Sequence, residues 1–196
     1  MAFTPCTSTL GANIAGSCSA PRIKGYEQTG FIVKKSDIDL TTTTISGTNS
    51  RIITNLGIKV GGVVSAVYNH KQNPLPFGGT KTTYNRDADA YDKLVQFYFE
   101  GIGGASAKNV VEPLKSTEYV IVLERKDHRG DGSFQVFGFQ VGMNAANNGG
   151  AQVQDEETGY WLITMATQEP YAEMSLFDTD YATTKTAFDA IVATSI

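Results

Sequence analysis

The chain has 196 residues, 41% of them hydrophobic and 10% aromatic, which suits one domain with a sizeable core and is too apolar for wholesale disorder. Its net charge of −4 argues against a surface that holds nucleic acid by neutralising phosphates. The charge is uneven, with 15 basic and 12 acidic side chains in residues 1–143 against 1 basic (Lys185) and 8 acidic in 144–196, an asymmetry that suits head-to-tail association but also arises in solvated loops.

Residues 1–20 carry no charge and no strong hydropathy period, and read as an extended N-terminal arm ahead of a single β-rich domain spanning 21–196. The start, MAFTPCTSTLGANIAG, lacks the basic residues and continuous apolar segment of a signal peptide, and no run approaches the roughly 20 apolar residues that span a bilayer. A protein made and used in a cytoplasm, or released from it by lysis, is expected. Cys6 and Cys18 cannot complete a tetrahedral zinc site by themselves, and His70 and His128 stand at no ligand spacing, so a reduced, non-catalytic thiol pair is expected.

Arg22 to Asp39 predicts one or two strands around Ile23, Tyr26 and Phe31 to Val33, followed by the threonine run Thr41 to Thr44. Arg51 to Tyr68 holds two β-branched segments with Gly61 and Gly62 as a bulge or bend. His70 to Asp92 is polar, carries Pro74 and Pro76, and reads as a long loop or a loose hairpin. Lys93 to Glu100 alternates Val95, Phe97 and Phe99 against Leu94 and Tyr98, a strand pattern. Ala105 to Ser116 has helical spacing that Pro113 keeps short.

Tyr119 to Thr167 is the centre of the chain. Tyr119 to Leu123 is a β-branched run that stops at DHRGDG, where a tight hairpin turn is expected. In SFQVFGFQVGM, Phe134 and Val136 fall on one face and Phe137, Phe139, Val141 and Met143 on the other, so the strand should be covered on both sides, with Phe139 in the core. Trp161, Ile163 and Met165 alternate in a third run, and the three together predict a β-meander. Near the C-terminus Thr179 or Asp180 caps a helix whose stripe is Tyr181, Thr184, Phe188, Ile191 and Val192. The fold class is therefore mainly β, an antiparallel sandwich or barrel with a C-terminal helix laid on the sheet and one short additional helix.

Signals of catalysis are weak. No nucleophile elbow, zinc-protease helix or phosphate-cradling loop is present, and GIGG at 101–104 lacks the strand and helix of a dinucleotide fingerprint, so no catalytic, cofactor or metal residue is assigned. Asp37 and Asp39 would share one side of a strand, and Asp155, Glu156 and Glu157 offer loop carboxylates, but neither group has the ligand count of a calcium loop. Arg129-Gly130-Asp131 matches an adhesion tripeptide at a hairpin tip, where Gly and Asp are also what a turn demands.

The segments GDGSFQVFGFQVG, DEETGYWLITMAT and SLFDTDYATTKTAFDAIV together resemble the C-terminal half of small virion structural proteins of tailed phages of Bacteroidetes hosts. The β-rich domain with one packed helix, a long polar loop and an arm is similar to tail-tube proteins, whose subunits form hexameric rings stacked into a hollow conduit. The resemblance implies a non-enzymatic protein without cofactors, assembled in the host cytoplasm into a virion. Its partners would be copies of itself and other virion proteins, with DNA passing through unbound and no membrane contact. Within such a stack, the acidic residues Asp155 to Glu157 would lie near Lys34, Lys35, Arg125 or Lys126 of the next subunit. The alternatives are a capsid decoration or head-tail connector protein, and a carbohydrate- or receptor-binding β-domain exposing Tyr68, Phe77 and Tyr84.

Overall fold

The computed structural model describes residues 23, 25–68, 79–99, 104–145, 151–154 and 160–195. In chain order the strands are β1 (Tyr26–Lys34), β2 (Thr44–Ile45), β3 (Ile52–Asn55), β4 (Val64–Tyr68), β5 (Gly79–Asn85), β6 (Ala90–Phe99), β7 (Tyr119–Arg125), β8 (Phe134–Phe137), β9 (Ala151–Gln154), β10 (Tyr160–Glu169) and β11 (Met174–Leu176). They form a seven-stranded sheet, β2-β3-β11-β8-β7-β1-β4, and a four-stranded sheet, β5-β6-β10-β9. Apart from 3-10 turns at Lys35–Asp37 and Gly130–Gly132, the helical residues among those described fall in two places. The first runs from α1 (Gly104–Ser106) through a π turn (Ala107–Val111) to α2 (Glu112–Ser116), and the second is α3 (Tyr181–Ala193). The mainly β class and both helical regions agree with the sequence reading.

The run YVIVLER has no polar alternation because β7 is buried on both faces. Tyr119, Ile121 and Leu123 enter the core between the two sheets, where Val95 and Phe97 of β6 and Ile163 and Met165 of β10 meet them. Val120 and Val122 enter a second core beneath α3, with Phe31, Phe134 and Phe188. Phe188 packs tilted against Phe31 and Phe134, with centroids 5.3 and 5.0 Å apart. Asp180 starts α3 by accepting a hydrogen bond from Thr183 N at 2.7 Å, as the capping pattern requires. The order is therefore small sheet, large sheet, helix.

Two expectations need correction. The three central runs do not form a meander. β7 and β8 pair with each other in the large sheet, whereas β10 pairs with β6 and β9 in the small one. Alternation specifies which residues share a face and is silent on which strand lies alongside. The turn between β7 and β8 is also longer than a tight hairpin and contains a 3-10 turn at Gly130–Gly132.

The second correction concerns β8, which ends at Phe137. Gly138 has φ +79°, and a Cβ there would lie 2.5 Å from the carbonyl oxygen of Tyr119, so the chain must leave the ladder at this glycine. It loops out through Phe139 to Val141, closes with Gly142 N donating to Gly138 O at 2.8 Å, and returns to pair Met143 with Tyr119. Phe137 and Met143 therefore share the inter-sheet core, while Phe139 is only half-buried and Val141 is exposed. The next residue, Asn144, bridges to Ala166 of β10 and so carries the ladder from the large sheet to the small one.

Within the segment read as a long loop, 79–92 is the β5–β6 hairpin in regular register from Gly79↔Gln96 to Asn85↔Ala90, and residues 70–78 lie outside the described residues. The bend at Gly61 is as expected, with φ +81°. The N-terminal arm also falls outside the described residues.

Candidate functional site

The small sheet has one face on the core and one facing away from it. Val95, Phe97, Ile163 and Met165 point inward, so their neighbours in the alternation, Leu94, Gln96, Leu162, Thr164 and Ala166, point outward. That outward face is tied by polar side chains across strands. Gln96 Nε2 donates to Thr164 Oγ1 at 3.0 Å, Gln168 Nε2 to Asp92 Oδ1 at 2.8 Å, and Asn85 Nδ2 to Asp92 Oδ2 at 3.2 Å. The charged side chains described there are Lys81 and Asp92, of opposite sign, which share a shallow cavity with Thr83 and Gln168. β5 forms one edge of this sheet and β9 the other. β5 is seven residues long, with no proline and no bulge to blunt it.

Where the same strands reach the end of the inter-sheet core, a charged pair replaces the apolar layer. Lys93 Nζ donates to Glu169 Oε2 at 2.7 Å with both side chains 1% exposed. Glu169 Oε1 accepts from Gln140 N at 2.8 Å, so the pair also anchors the loop that leaves at Gly138. Thr167, next on the same face, keeps a buried hydroxyl that meets no hydrogen-bond partner among the described residues. Sequence alternation alone read Lys93 as the start of a strand and gave no sign of its burial.

A second polar cluster fastens the start of α3. The buried carboxylate of Glu124 accepts from Tyr181 Oη at 2.6 Å and pairs with Lys185 at 3.1 Å and His128 at 3.6 Å. His128 stacks on the Tyr181 ring at 4.3 Å and reaches Glu27 at 3.3 Å. Burial, then the hydrogen bond and charge of Glu124, push the Tyr181 hydroxyl far above its ordinary value. This histidine serves the joint between helix and sheet.

The candidates read from the sequence separate on inspection. Asp37 and Asp39 do not share a strand face. Asp37 closes a 3-10 turn and accepts from Val63 N at 3.3 Å, while Asp39 accepts from Thr41 N and Thr41 Oγ1 at 2.9 and 2.7 Å. Those Thr41 hydrogen bonds hold the Asp39 carboxyl below its usual range. Among the described residues no group of three or more His, Cys, Asp or Glu side chains is placed to hold a metal ion.

In the adhesion tripeptide, Arg129 clamps Asp127 through two hydrogen bonds of 2.6 and 2.9 Å, and Gly130 takes φ +66° in the turn. Two of the bases expected to reach a neighbour are engaged within the chain: Arg125 pairs with Glu173 at 2.9 Å and Lys35 with Glu118 at 3.8 Å. Tyr84 is half exposed, tilts on Tyr91 and donates to Asp89. Cys6, Cys18, His70, Phe77, the side chain of Tyr68 and Asp155 to Glu157 lie outside what is described.

No protein-family model, curated protein or solved structure matches this chain. Among the described residues no helix is long and apolar enough to cross a membrane.

Proposed function

We propose that this chain is a non-enzymatic virion structural protein of a tailed phage, a tail-tube-like subunit that joins into rings and stacks into a conduit for DNA. The observation that carries the reading is the four-stranded sheet, with β5 and β9 as opposite edges, a core-facing side and a polar, nearly neutral outer side. Joining β5 of one copy to β9 of the next pairs the open edges, and closure of the ring converts the small sheets into one barrel. The outer face then becomes the lumen. A lumen where Lys81 is balanced by Asp92 lets DNA slide, because each neutralised phosphate would otherwise add affinity through counterion release.

A decoration or connector protein would use the same edges without stacking. Virion location and assembly in the host cytoplasm belong to this reading too. The test is electron microscopy with sedimentation of the concentrated full chain, where hollow rings and stacks are expected without added ligand. A protein that stays monomeric at every concentration would overturn the reading. With tubes in hand, Thr83→Lys with Gln168→Lys should give salt-dependent DNA retention, with a slope rising by about 0.9 per phosphate contacted.

A further inference from the structure

We infer that Tyr26 is the positioning residue for the edge through which copies join, its buried phenol holding β5 against the large sheet by a hydrogen bond to Thr80. The inference rests on the ring reading and names the group that sets the seam.

β5 is lightly tied to the body of the molecule. One ladder, to β6, holds it, and among the described residues none of its side chains belongs to either core. Lys81 to Tyr84 are exposed, so past its first residues the strand is uncovered on both faces. A strand held by one ladder keeps latitude in twist, about 10 to 35° between neighbours. Closing a ring needs the same angle in every copy.

Thr80 is where that latitude is removed. It stands opposite Val95, whose side chain lies in the inter-sheet core, so Thr80 points toward the large sheet. There Tyr26 Oη lies 2.8 Å from Thr80 Oγ1. The phenol donates its proton to Gln135 Oε1 of β8, so toward Thr80 it accepts. Tyr26 and Gln135 are both buried, and Arg125, paired with Glu173 at 2.9 Å, stands beside the phenol. Tyr26, Arg125 and Gln135 come from β1, β7 and β8, three neighbouring strands of the large sheet. The anchor is therefore firm, and one hydroxyl carries its position to β5.

Without that bond β5 populates other angles, and the affinity of copy for copy falls by the fraction of chains in the joining one. For one net hydrogen bond that fraction is about a tenth. Thr80→Val removes the donor, leaves Tyr26 bonded to Gln135 and keeps a good strand former at the position. Sedimentation of the full chain should place ring formation at about tenfold higher concentration for Thr80→Val, and Thr80→Ser, which keeps the hydroxyl, should restore the native threshold. In the monomer, hydrogen exchange should rise at 79–85 and stay as it is in β7 and β8, a local loosening that a general loss of stability would not give. Native rings with an unchanged threshold for Thr80→Val, equal weakening by Thr80→Ser, or a uniform rise in exchange would overturn the inference and leave the ring reading standing. A native chain that stays monomeric at every concentration would overturn both.

Discussion

Lys93 and Glu169 show what burial does to a charge. With both side chains 1% exposed, each is tolerable only because the other is 2.7 Å away and Gln140 N meets the second carboxylate oxygen. Lys93→Met alone should cost about 3–5 kcal/mol in chemical denaturation, because it leaves an unpaired buried carboxylate, while Lys93→Met with Glu169→Leu should recover most of that loss. A double variant as unstable as the single would mean that the pair contributes net stability.

At Tyr181 the sign of the pH effect follows from burial and from Glu124, which both raise the hydroxyl pKa above its ordinary 10.0, as burial also does for Tyr26 and Tyr119. Below pH 10 folded and unfolded chains hold the same phenolic protons and stability is flat. Above it the unfolded chain ionises first, binds fewer protons and gains ground, so stability falls as pH rises through the folded-state values. Tyr181→Phe should therefore lower stability at pH 8, through the lost bond to Glu124, and flatten the decline above pH 10. Parallel stability curves for the two proteins would contradict this.

The interruption of β8 is governed by one backbone position. Gly138→Ala keeps every apolar side chain, yet it places a Cβ against Tyr119 O and forces a non-glycine residue to φ +79°. Strain of that kind costs about 1–3 kcal/mol before the clash is counted. Gly47 has nothing within 4 Å of an added Cβ and no positive φ, so Gly47→Ala is the control expected to stay within about 0.5 kcal/mol. Thermal melts of the two variants give the comparison, and equal melting temperatures would show that the chain can pass Gly138 in another conformation. The core place that alternation assigns to Phe139 belongs to Phe137, which is fully buried.

For the whole molecule, the large sheet contributes a face to each of the two cores, so neither core can melt without exposing the other's backing. Unfolding should be one transition. Trp161, the single tryptophan, reports from the small sheet, and far-UV circular dichroism reports from all elements including α3. The two signals should coincide in urea, for the native chain and for Phe188→Ala alike. A tryptophan transition displaced from the circular dichroism would show that the small sheet unfolds by itself.

Local information reached a definite depth in this chain. The alternation of Val95 and Phe97, the uninterrupted apolar run of β7, the cap at Asp180 and the stripe through Thr184 and Phe188 follow from side-chain period and from the hydrogen-bonding capacity of a few residues, so these elements, the faces of those residues and the mainly β class were legible from local pattern. Pairing is a different kind of quantity. The placement of β10 with β6, the looping-out between Gly138 and Gly142, and the burial of Lys93 against Glu169 depend on residues 24 to 78 positions apart meeting in space. Contacts of that range are set by how two sheets and a helix fill common cores, and no local pattern along the chain reports them.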